Sequence, residues 1–269
     1  MSEPTVDVSY DVVVVGGGAS GKSAALAAAQ GGLSVAILEK LPQTGGSSVY
    51  AEGTAAFESS EQKARGVPAP GKHFPTREEG FRRYTDYSHH RANPDVVRMQ
   101  VENTAETIDI YKSLGITYTD VNIYAYDQPY ELYTFHRPEG LGERCQEVLL
   151  KAAEDAGVEV FVSTPAKELI MEDGKVAGVV AEDSDGNTLR IGAKAVVLAA
   201  GGFGNNPDLV EKYSWLSAVA HDTYQCVPTA NTGDGLTMAL SAGADTSSLG
   251  SLMVIACARG KMLTAHSSG

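Results

Sequence analysis

The stretch Asp11-Val-Val-Val-Val-Gly-Gly-Gly-Ala-Ser-Gly-Lys-Ser23 decides the fold class of this chain. Its apolar run predicts a buried strand, its glycines predict a tight turn, and the alanine-rich segment from Ala19 to Gln30 predicts a helix that follows at once. The first N–H groups of a helix have no partner inside it and carry partial positive charge. Because glycines let the main chain approach an anion closely, this strand-turn-helix unit is expected to bind a diphosphate.

Two nucleotide-binding motifs fit the same residues. Gly16-x-Gly18-x-x-Gly21 matches the dinucleotide fingerprint, whereas the segment from Gly16 to Ser23 also matches the P-loop. The next apolar run ends at Glu39, where a dinucleotide needs an acceptor for its ribose hydroxyls. A P-loop protein needs instead an apolar strand that ends in a metal-binding aspartate, and the run 195–200 ends in two glycines. The dinucleotide motif is therefore favoured, and Lys22 is expected to be a solvated residue of the first helical turn.

Composition excludes several classes of function. The 269 residues, 43% hydrophobic and 20% charged, are typical of a globular protein of one large or two small domains. The net charge of −13 argues against a nucleic-acid partner and against docking on an anionic membrane. No apolar run is long enough to span a bilayer, and the N-terminus does not resemble a secretion signal, so a cytoplasmic location is expected. The three widely spaced cysteines, Cys145, Cys226 and Cys257, predict neither a disulfide framework nor a metal site.

The rest of the chain predicts further helices and a β-meander. Helices are expected to begin at the capping box of Thr76 and Glu79, at Asn93-Pro94, at Gly140 and at Gly233-Asp234-Gly235. A short strand is expected at 158–162. Turns rich in Asp and Gly separate three β-rich runs, at 166–171, 176–181 and 188–191, and so predict an antiparallel meander. The run 195–200 is expected to return to the main sheet.

Taken in order, these motifs resemble a known family. The glycine turn at 16–21, Glu39-Lys40, Gly45-Gly46-Ser47-Ser48, the run 195–203 and Thr232-Gly-Asp-Gly-Leu-Thr-Met-Ala239 are similar to the soluble branch of the fumarate reductase/succinate dehydrogenase flavoproteins. The resemblance covers nearly the whole chain. It implies an α/β fold in which residues 1–245 form a Rossmann-like FAD-binding domain with a parallel sheet, the small antiparallel meander and a helical insertion at about 57–135. Residues 246–269 would begin a capping domain, which makes the chain an N-terminal part of a longer enzyme, inactive alone.

The resemblance also implies the cofactor and its contacts. FAD would lie with its pyrophosphate on the glycine turn, its ribose on Glu39, its adenine on the backbone of Ala166 and its isoalloxazine along the segment 51–54. The residues expected to contact FAD are Gly16, Gly18, Ala19, Ser20, Gly21, Glu39, Lys40, Gly45, Gly46, Ser47, Ser48, Ala51, Gly53, Thr54, Ala166, Ala200, Gly201, Gly202 and Asp234.

Two departures from the family pattern bear on the substrate. Thr54 stands where relatives carry a second glycine, and its hydroxyl could reach the flavin near N5. The segment 249–258 lacks the histidine that binds substrate in fumarate-specific members, so fumarate or succinate is not expected. An apolar enone or alkene is expected instead, isoflavonoid-like in structure, because the stretch 50–60 is similar to isoflavonoid-converting enzymes of the tetrahydrodaidzein reductase kind.

The expected reaction is hydride transfer from flavin N5 to a C=C bond or allylic centre, with NAD(P)H or a separate reductase as the electron donor. No catalytic residue is assigned, because the family's proton-donating arginine is expected beyond Gly269. Two alternatives stay open at this stage. The chain could be a non-catalytic FAD-binding subunit, or a nicotinamide-dependent Rossmann dehydrogenase.

Overall fold

The structure, a computed structural model, describes residues 6–66, 73–123, 133–214, 230–247, 249–250, 257–258 and 261–262. The strands are β1 (Val8–Val15), β2 (Val35–Leu38), β3 (Thr54–Ala55), β4 (Tyr118–Ile123), β5 (Tyr133–Pro138), β6 (Glu159–Phe161), β7 (Ala166–Glu172), β8 (Lys175–Glu182), β9 (Thr188–Leu198), β10 (Cys257–Ala258) and β11 (Lys261–Met262). The helices are α1 (Ala19–Gln30), α2 (Ser60–Arg65), α3 (Arg77–Tyr87), α4 (Pro94–Ser113), α5 (Leu141–Asp155), α6 (Pro207–Tyr213) and α7 (Asp234–Ser241), with a 3₁₀ turn at Gly46–Tyr50.

A six-stranded sheet of order β6-β2-β1-β9-β8-β7 carries the fold. Strands β6, β2, β1 and β9 are parallel, and β9, β8 and β7 form the antiparallel meander. The parallel sheet and the meander were both expected, and both are confirmed. They are not separate sheets, however, because β9 belongs to both.

Strand β9 is one continuous strand, whereas the sequence predicted two separate runs, at 188–191 and 195–200. Ile191 pairs with Val179 of β8 and with Val8 of β1, and the strand continues to Leu198 alongside β1. Gly178 lies opposite Gly192, and a Cβ on Gly178 would meet the Ile191 carbonyl oxygen at 2.2 Å. The residues 192–194 interrupt the apolar pattern without interrupting the strand, and the paired glycines 178 and 192 let the backbones of β8 and β9 pack closely at this point.

The valines of β1 explain why the core has two halves. Successive side chains of a strand point to opposite faces, so a parallel strand covered on both faces is apolar throughout. Val12 and Val14 pack with residues of α1 and α5, including Leu26 and Leu149. Val13 and Val15 pack on the other face with meander residues and with Met238 of α7. The parallel strands are thus covered by α1 and α5 on one face and by meander residues and α7 on the other, which fixes the position of their ends.

The segment 57–135 is only partly helical. It contains α2, α3 and α4, and the capping box of Thr76 and Glu79 and the Asn93 cap are present as expected. It also contains β4 and the start of β5, which form a three-stranded antiparallel sheet of order β3-β5-β4. Most of the expected capping segment 246–269, and Cys226, lie outside the described residues. No helix in the described ranges is both long and apolar enough to cross a membrane.

Candidate dinucleotide site

The three fingerprint glycines have different structural roles. Gly16 adopts φ +108°, and a Cβ there would meet the Ala199 carbonyl oxygen at 2.4 Å. A Cβ on Gly21 would meet the Gly16 carbonyl oxygen at 1.9 Å, so this glycine allows α1 to pack on β1. The nearest atoms to a Cβ on Gly18 are the Gly45 carbonyl oxygen at 3.8 Å and Ser48 Oγ at 3.9 Å, both ordinary contacts. The protein itself therefore has room for a side chain at position 18, and a ligand lying against that backbone would account for the glycine.

A cleft opens at the carboxyl ends of β1, β2 and β9, in front of the first turn of α1. Parallel α/β sheets bind their ligands at this edge. The expected site residues that line the cleft are Gly16, Gly18, Ala19, Ser20, Glu39, Lys40, Gly46, Ser47, Ser48, Ala166, Ala200, Gly201 and Asp234. The structure thus brings together the glycine turn, the acid after β2, the hydroxyls of the 3₁₀ turn and the start of the meander.

Six expected residues do not line this cleft: Gly21, Gly45, Ala51, Gly53, Thr54 and Gly202. Gly45 lies just behind it, donating its N–H to the Gly17 carbonyl oxygen at 2.9 Å. Gly53 has a reason to be glycine that involves no ligand, since a Cβ there would meet the ring of Phe135 at 2.7 Å and the His136 carbonyl oxygen at 2.6 Å. Thr54 follows in β3, beside β5.

Glu39 is buried at the end of β2, with 6% of its surface exposed. Its Oε2 accepts a hydrogen bond of 2.9 Å from the Gly17 N–H, and its Oε1 accepts one of 2.8 Å from the Leu41 N–H. A carboxylate offers about four acceptor positions, so these two bonds leave capacity for two ribose hydroxyls. The carboxylate is held in place by the backbone before any ligand arrives.

Lys40 and Asp234 form an ion pair at the edge of the cleft. Lys40 Nζ lies 2.6 Å from Asp234 Oδ2 and donates to Thr232 Oγ1 at 2.7 Å. The pair links the end of β2 to the N-terminus of α7. Side-chain exposures of 26% and 40% mean that water screens it, so its stabilising effect is modest.

Lys22 corrects an expectation from the sequence. It is not solvated: only 1% of it is exposed, and its Nζ donates to the backbone carbonyl oxygen and to Oε1 of Gln146 in α5, at 3.1 and 3.2 Å. The prediction was wrong because α5 packs across α1 and covers the side chain. Burial lowers the pKa of Lys22 to about 8. Lys22 does not line the cleft, so it does not take the phosphate-binding position of a P-loop lysine.

Asn231 was missed from the sequence. It lines the cleft, and its Nδ2 donates to Ser47 Oγ at 3.0 Å, which connects the segment before α7 to the 3₁₀ turn. The available signal was its position directly before Thr232 and the Gly-Asp-Gly start of α7. A polar side chain there is placed at the same sheet edge as the other site residues.

The cleft residues fit the adenylate half of FAD. Gly18 leaves room for a diphosphate against the backbone, α1 points its N-terminus at that place, and the Glu39 carboxylate lies beside it. Comparison with known proteins agrees. The family model described as FAD binding domain matches residues 11–254.

Individual relatives are named as reductases. The chain is 36% identical over 252 residues to the vinyl phenol reductase of Lactiplantibacillus plantarum. This alignment covers 91% of this chain and 48% of that protein. It is 29% identical to the NADH:fumarate oxidoreductase of Klebsiella pneumoniae, covering 91% of this chain and 26% of that one. The open conformation of a flavocytochrome c3 fumarate reductase superposes with a TM-score of 0.80 at 27% identity, over 90% of this chain and 42% of that chain.

This chain therefore spans half or less of the length of these relatives. Within that span the match includes the glycine turn, Glu39 and α7. The resemblance drawn from the motifs is confirmed, as is FAD as the cofactor. The chain belongs to the FAD binding domain family, among the flavoproteins of the fumarate reductase type.

Proposed function

We propose that this chain is the FAD-binding part of a reductase that reduces a C=C bond or allylic centre of a small organic substrate. The observation that carries the proposal is the cleft at the end of β1. It combines a ligand-accommodating Gly18, a helix N-terminus and a buried carboxylate, in a chain whose relatives are named reductases.

In this proposal the chain's own residues bind and orient the cofactor. The backbone around Gly18 and the first N–H groups of α1 bind the diphosphate, and Glu39 accepts hydrogen bonds from the adenosine ribose. The backbone of Ala166, at the start of β7, contacts the adenine. Asp234 reaches the cofactor from the start of α7 while Lys40 offsets its charge.

We propose that the flavin ring lies along the segment 51–54, because this segment follows the 3₁₀ turn that lines the cleft. FAD supplies the chemistry of hydride transfer from its N5 atom when it is bound. Thr54 is placed near that atom, and its hydroxyl can donate a hydrogen bond to the ring edge. We assign no residue of this chain as the acid that completes reduction of a C=C bond.

The substrate class is the finer part of the proposal. An alkene or enone conjugated to an aromatic ring, phenolic or isoflavonoid-like, fits better than a dicarboxylate. A relative named for vinyl phenol is 36% identical to this chain and one named for fumarate is 29% identical, and the segment 249–258 has no histidine. NAD(P)H or a separate reductase is the proposed electron donor, and the cytoplasm the proposed location.

The proposed domain organisation follows the sequence. Residues 1–245 form the FAD-binding domain, with an insertion at about 57–135, and residues 246–269 begin the capping domain.

Anaerobic reoxidation tests the proposal. The flavin of the native full-length protein that contains this chain is photoreduced and mixed in turn with 4-vinylphenol, an isoflavonoid enone, urocanate and fumarate, and the return of oxidised flavin absorbance is timed. Faster reoxidation by the phenolic alkene or the enone than by fumarate is expected. A preference for fumarate would contradict the substrate class. Bound flavin that no alkene reoxidises would favour a non-catalytic FAD-binding subunit.

A further inference from the structure

Lys22 is a buried charge directly behind the candidate FAD cleft. It belongs to the first turn of α1, whose Ala19 and Ser20 line the cleft, yet its own side chain points the other way, toward α5. Its ammonium donates two hydrogen bonds to Gln146, one to the backbone and one to the side chain. Burying an ammonium is unfavourable unless its partners compensate. We therefore ask what the contact between Lys22 and Gln146 contributes to the neighbouring cleft.

Helix α5 also contacts the turn that forms the opposite wall of the cleft. Gly142 donates its N–H to the Ala51 carbonyl oxygen at 2.8 Å. A Cβ on Gly142 would meet the Ser48 carbonyl oxygen at 2.3 Å, so the N-terminus of α5 lies directly on the 3₁₀ turn. The same helix that binds Lys22 therefore sets the position of Ser48 and Ala51.

The 3₁₀ turn and α1 in turn touch each other across the cleft floor. Gly45 donates to the Gly17 carbonyl oxygen at 2.9 Å, and Ser48 Oγ accepts from the Ala19 N–H at 3.3 Å. These are the two walls between which a diphosphate would lie. Both depend on α5, one through Gly142 and the other through Lys22.

We propose that Lys22 is a positioning residue of the FAD site: its ammonium ties α1 to α5 and thereby sets the distance between the glycine turn and the 3₁₀ turn. This inference rests on the proposed binding of FAD in the cleft. It also gives Lys22 an electrostatic role, because a positive charge close behind the first turn of α1 favours an anion in front of it.

Proton loss from Lys22 should then weaken FAD binding. Burial lowers its pKa to about 8, while Glu39 at the end of β2 and Glu154 of α5 favour its charged form. Glu143 and Glu147 of α5, with Tyr50, line the cavity that Lys22 also faces. Since the charged form makes the stronger hydrogen bonds to Gln146 and attracts the diphosphate, affinity should decrease as pH rises through about 8.

Fluorescence titration with FAD between pH 6.5 and 9.5 tests the inference in the wild-type protein and in two variants. Lys22→Met is expected to bind FAD about tenfold more weakly at pH 7 and to lose the pH dependence, a difference of about 1.4 kcal/mol. Lys151→Met is the matched control, because Lys151 is an exposed residue of α5 paired with Asp155 at 2.8 Å. It should behave as the wild type does.

A purely structural role predicts a different result. Lys22→Met would then change the melting temperature but leave the affinity for FAD and its pH profile as in the wild type, which would overturn the inference. If Lys22→Met does not fold, Gln146→Met provides the test, since it removes one acceptor of the ammonium and keeps the charge. Weaker FAD binding is expected. Unchanged binding in this variant, together with a wild-type affinity that stays constant between pH 6.5 and 9.5, would refute the tie. A wild-type protein that binds no FAD would instead contradict the proposed function.

Discussion

The Glu39 carboxylate accepts a hydrogen bond of 2.9 Å from the backbone N–H of Gly17, which fastens the end of β2 to the glycine turn after β1. The second oxygen is held at 2.8 Å by the Leu41 N–H. The proposed acceptor for a ribose and the proposed binding place for a diphosphate are therefore joined by hydrogen bonds within the protein. Such a site does not have to order its main groups when the cofactor binds, which favours affinity.

Replacing Glu39 should weaken FAD binding more than it weakens the fold. Glu39→Gln keeps one carbonyl oxygen but presents an amide N–H₂ either to a backbone donor or to the ribose. Because hydrogen bonds to a charged group contribute about 1.5–3 kcal/mol, the affinity for FAD should fall at least about tenfold. Flavin fluorescence titration measures this. Glu172→Gln, at an exposed position of β7, is the control and should bind FAD normally. Equal affinities in the two variants would contradict the role of Glu39.

The fingerprint glycines should separate stability from binding. Gly18→Ala places its methyl group in the cleft without meeting protein atoms closer than 3.8 Å, so thermal unfolding of the FAD-free protein should change little. FAD affinity should fall about a hundredfold or more, because the methyl group occupies the diphosphate position.

Gly21→Ala should behave in the opposite way. Its Cβ would lie 1.9 Å from the Gly16 carbonyl oxygen, so α1 must move away from β1. Overpacking of this kind costs about 1–3 kcal/mol or more, and it should appear as a lower melting temperature.

If the Gly18→Ala protein binds FAD as tightly as the wild type, the diphosphate does not bind against the backbone of residue 18.

The Lys40–Asp234 pair should contribute little to stability. Lys40 Nζ and Asp234 Oδ2 are 2.6 Å apart, but both side chains are partly exposed. A coupling energy of about 0.5–1 kcal/mol is therefore expected. A double-mutant cycle of Lys40→Met and Asp234→Asn in urea unfolding measures it. A coupling energy of several kcal/mol would show that the pair is far less screened than its exposure indicates. Added salt should reduce the coupling energy.

Stability should depend on pH through Lys22. Its pKa is about 8 in the folded protein and 10.5 as a free side chain, so between these values the unfolded chain binds the proton that the folded one has lost. Stability therefore rises with pH in this window, by at most about 1.4 kcal/mol per pH unit, and this gain is lost as pH falls through 8.

The comparison of wild type with Lys22→Met isolates this effect. At pH 7 the variant should be as stable as the wild type or more stable, because it removes the unfavourable burial of a charge. Between pH 8 and pH 10 the wild type should gain stability relative to the variant. Tyr10 and Tyr111, whose pKa values burial raises to about 12, are common to both proteins. If the stability of both proteins changes with pH in the same way, the pKa of Lys22 is not lowered in the folded protein.

Local patterns predicted the elements that hold the cleft. The valine run 12–15 of β1, the glycine turn, the caps of α3 and α4 and the meander turns each follow from rules that act over a few residues, and the structure confirms them. Glu39 was identified because its distance from the glycines is set by one strand-turn-helix-strand unit.

Features that depend on distant packing were not predictable in this way. Lys22 has the pattern of an exposed residue until α5, more than a hundred residues later, covers it at Gln146. Asn231 enters the site only because α7 returns to the sheet edge, and β9 is continuous because β1 and β8 both pair with it. Gly53 resembles a ligand-contacting glycine in sequence, although packing on β5 already accounts for it.

Competition among nucleotides tests most directly whether the cleft binds the adenylate half of FAD. The protein is freed of flavin and titrated with FAD in the presence of ADP, FMN or ATP with magnesium. ADP should displace FAD, FMN should not, and magnesium should make no difference. Displacement by FMN but not by ADP, or tight binding that requires magnesium and a triphosphate, would contradict the assignment of this site.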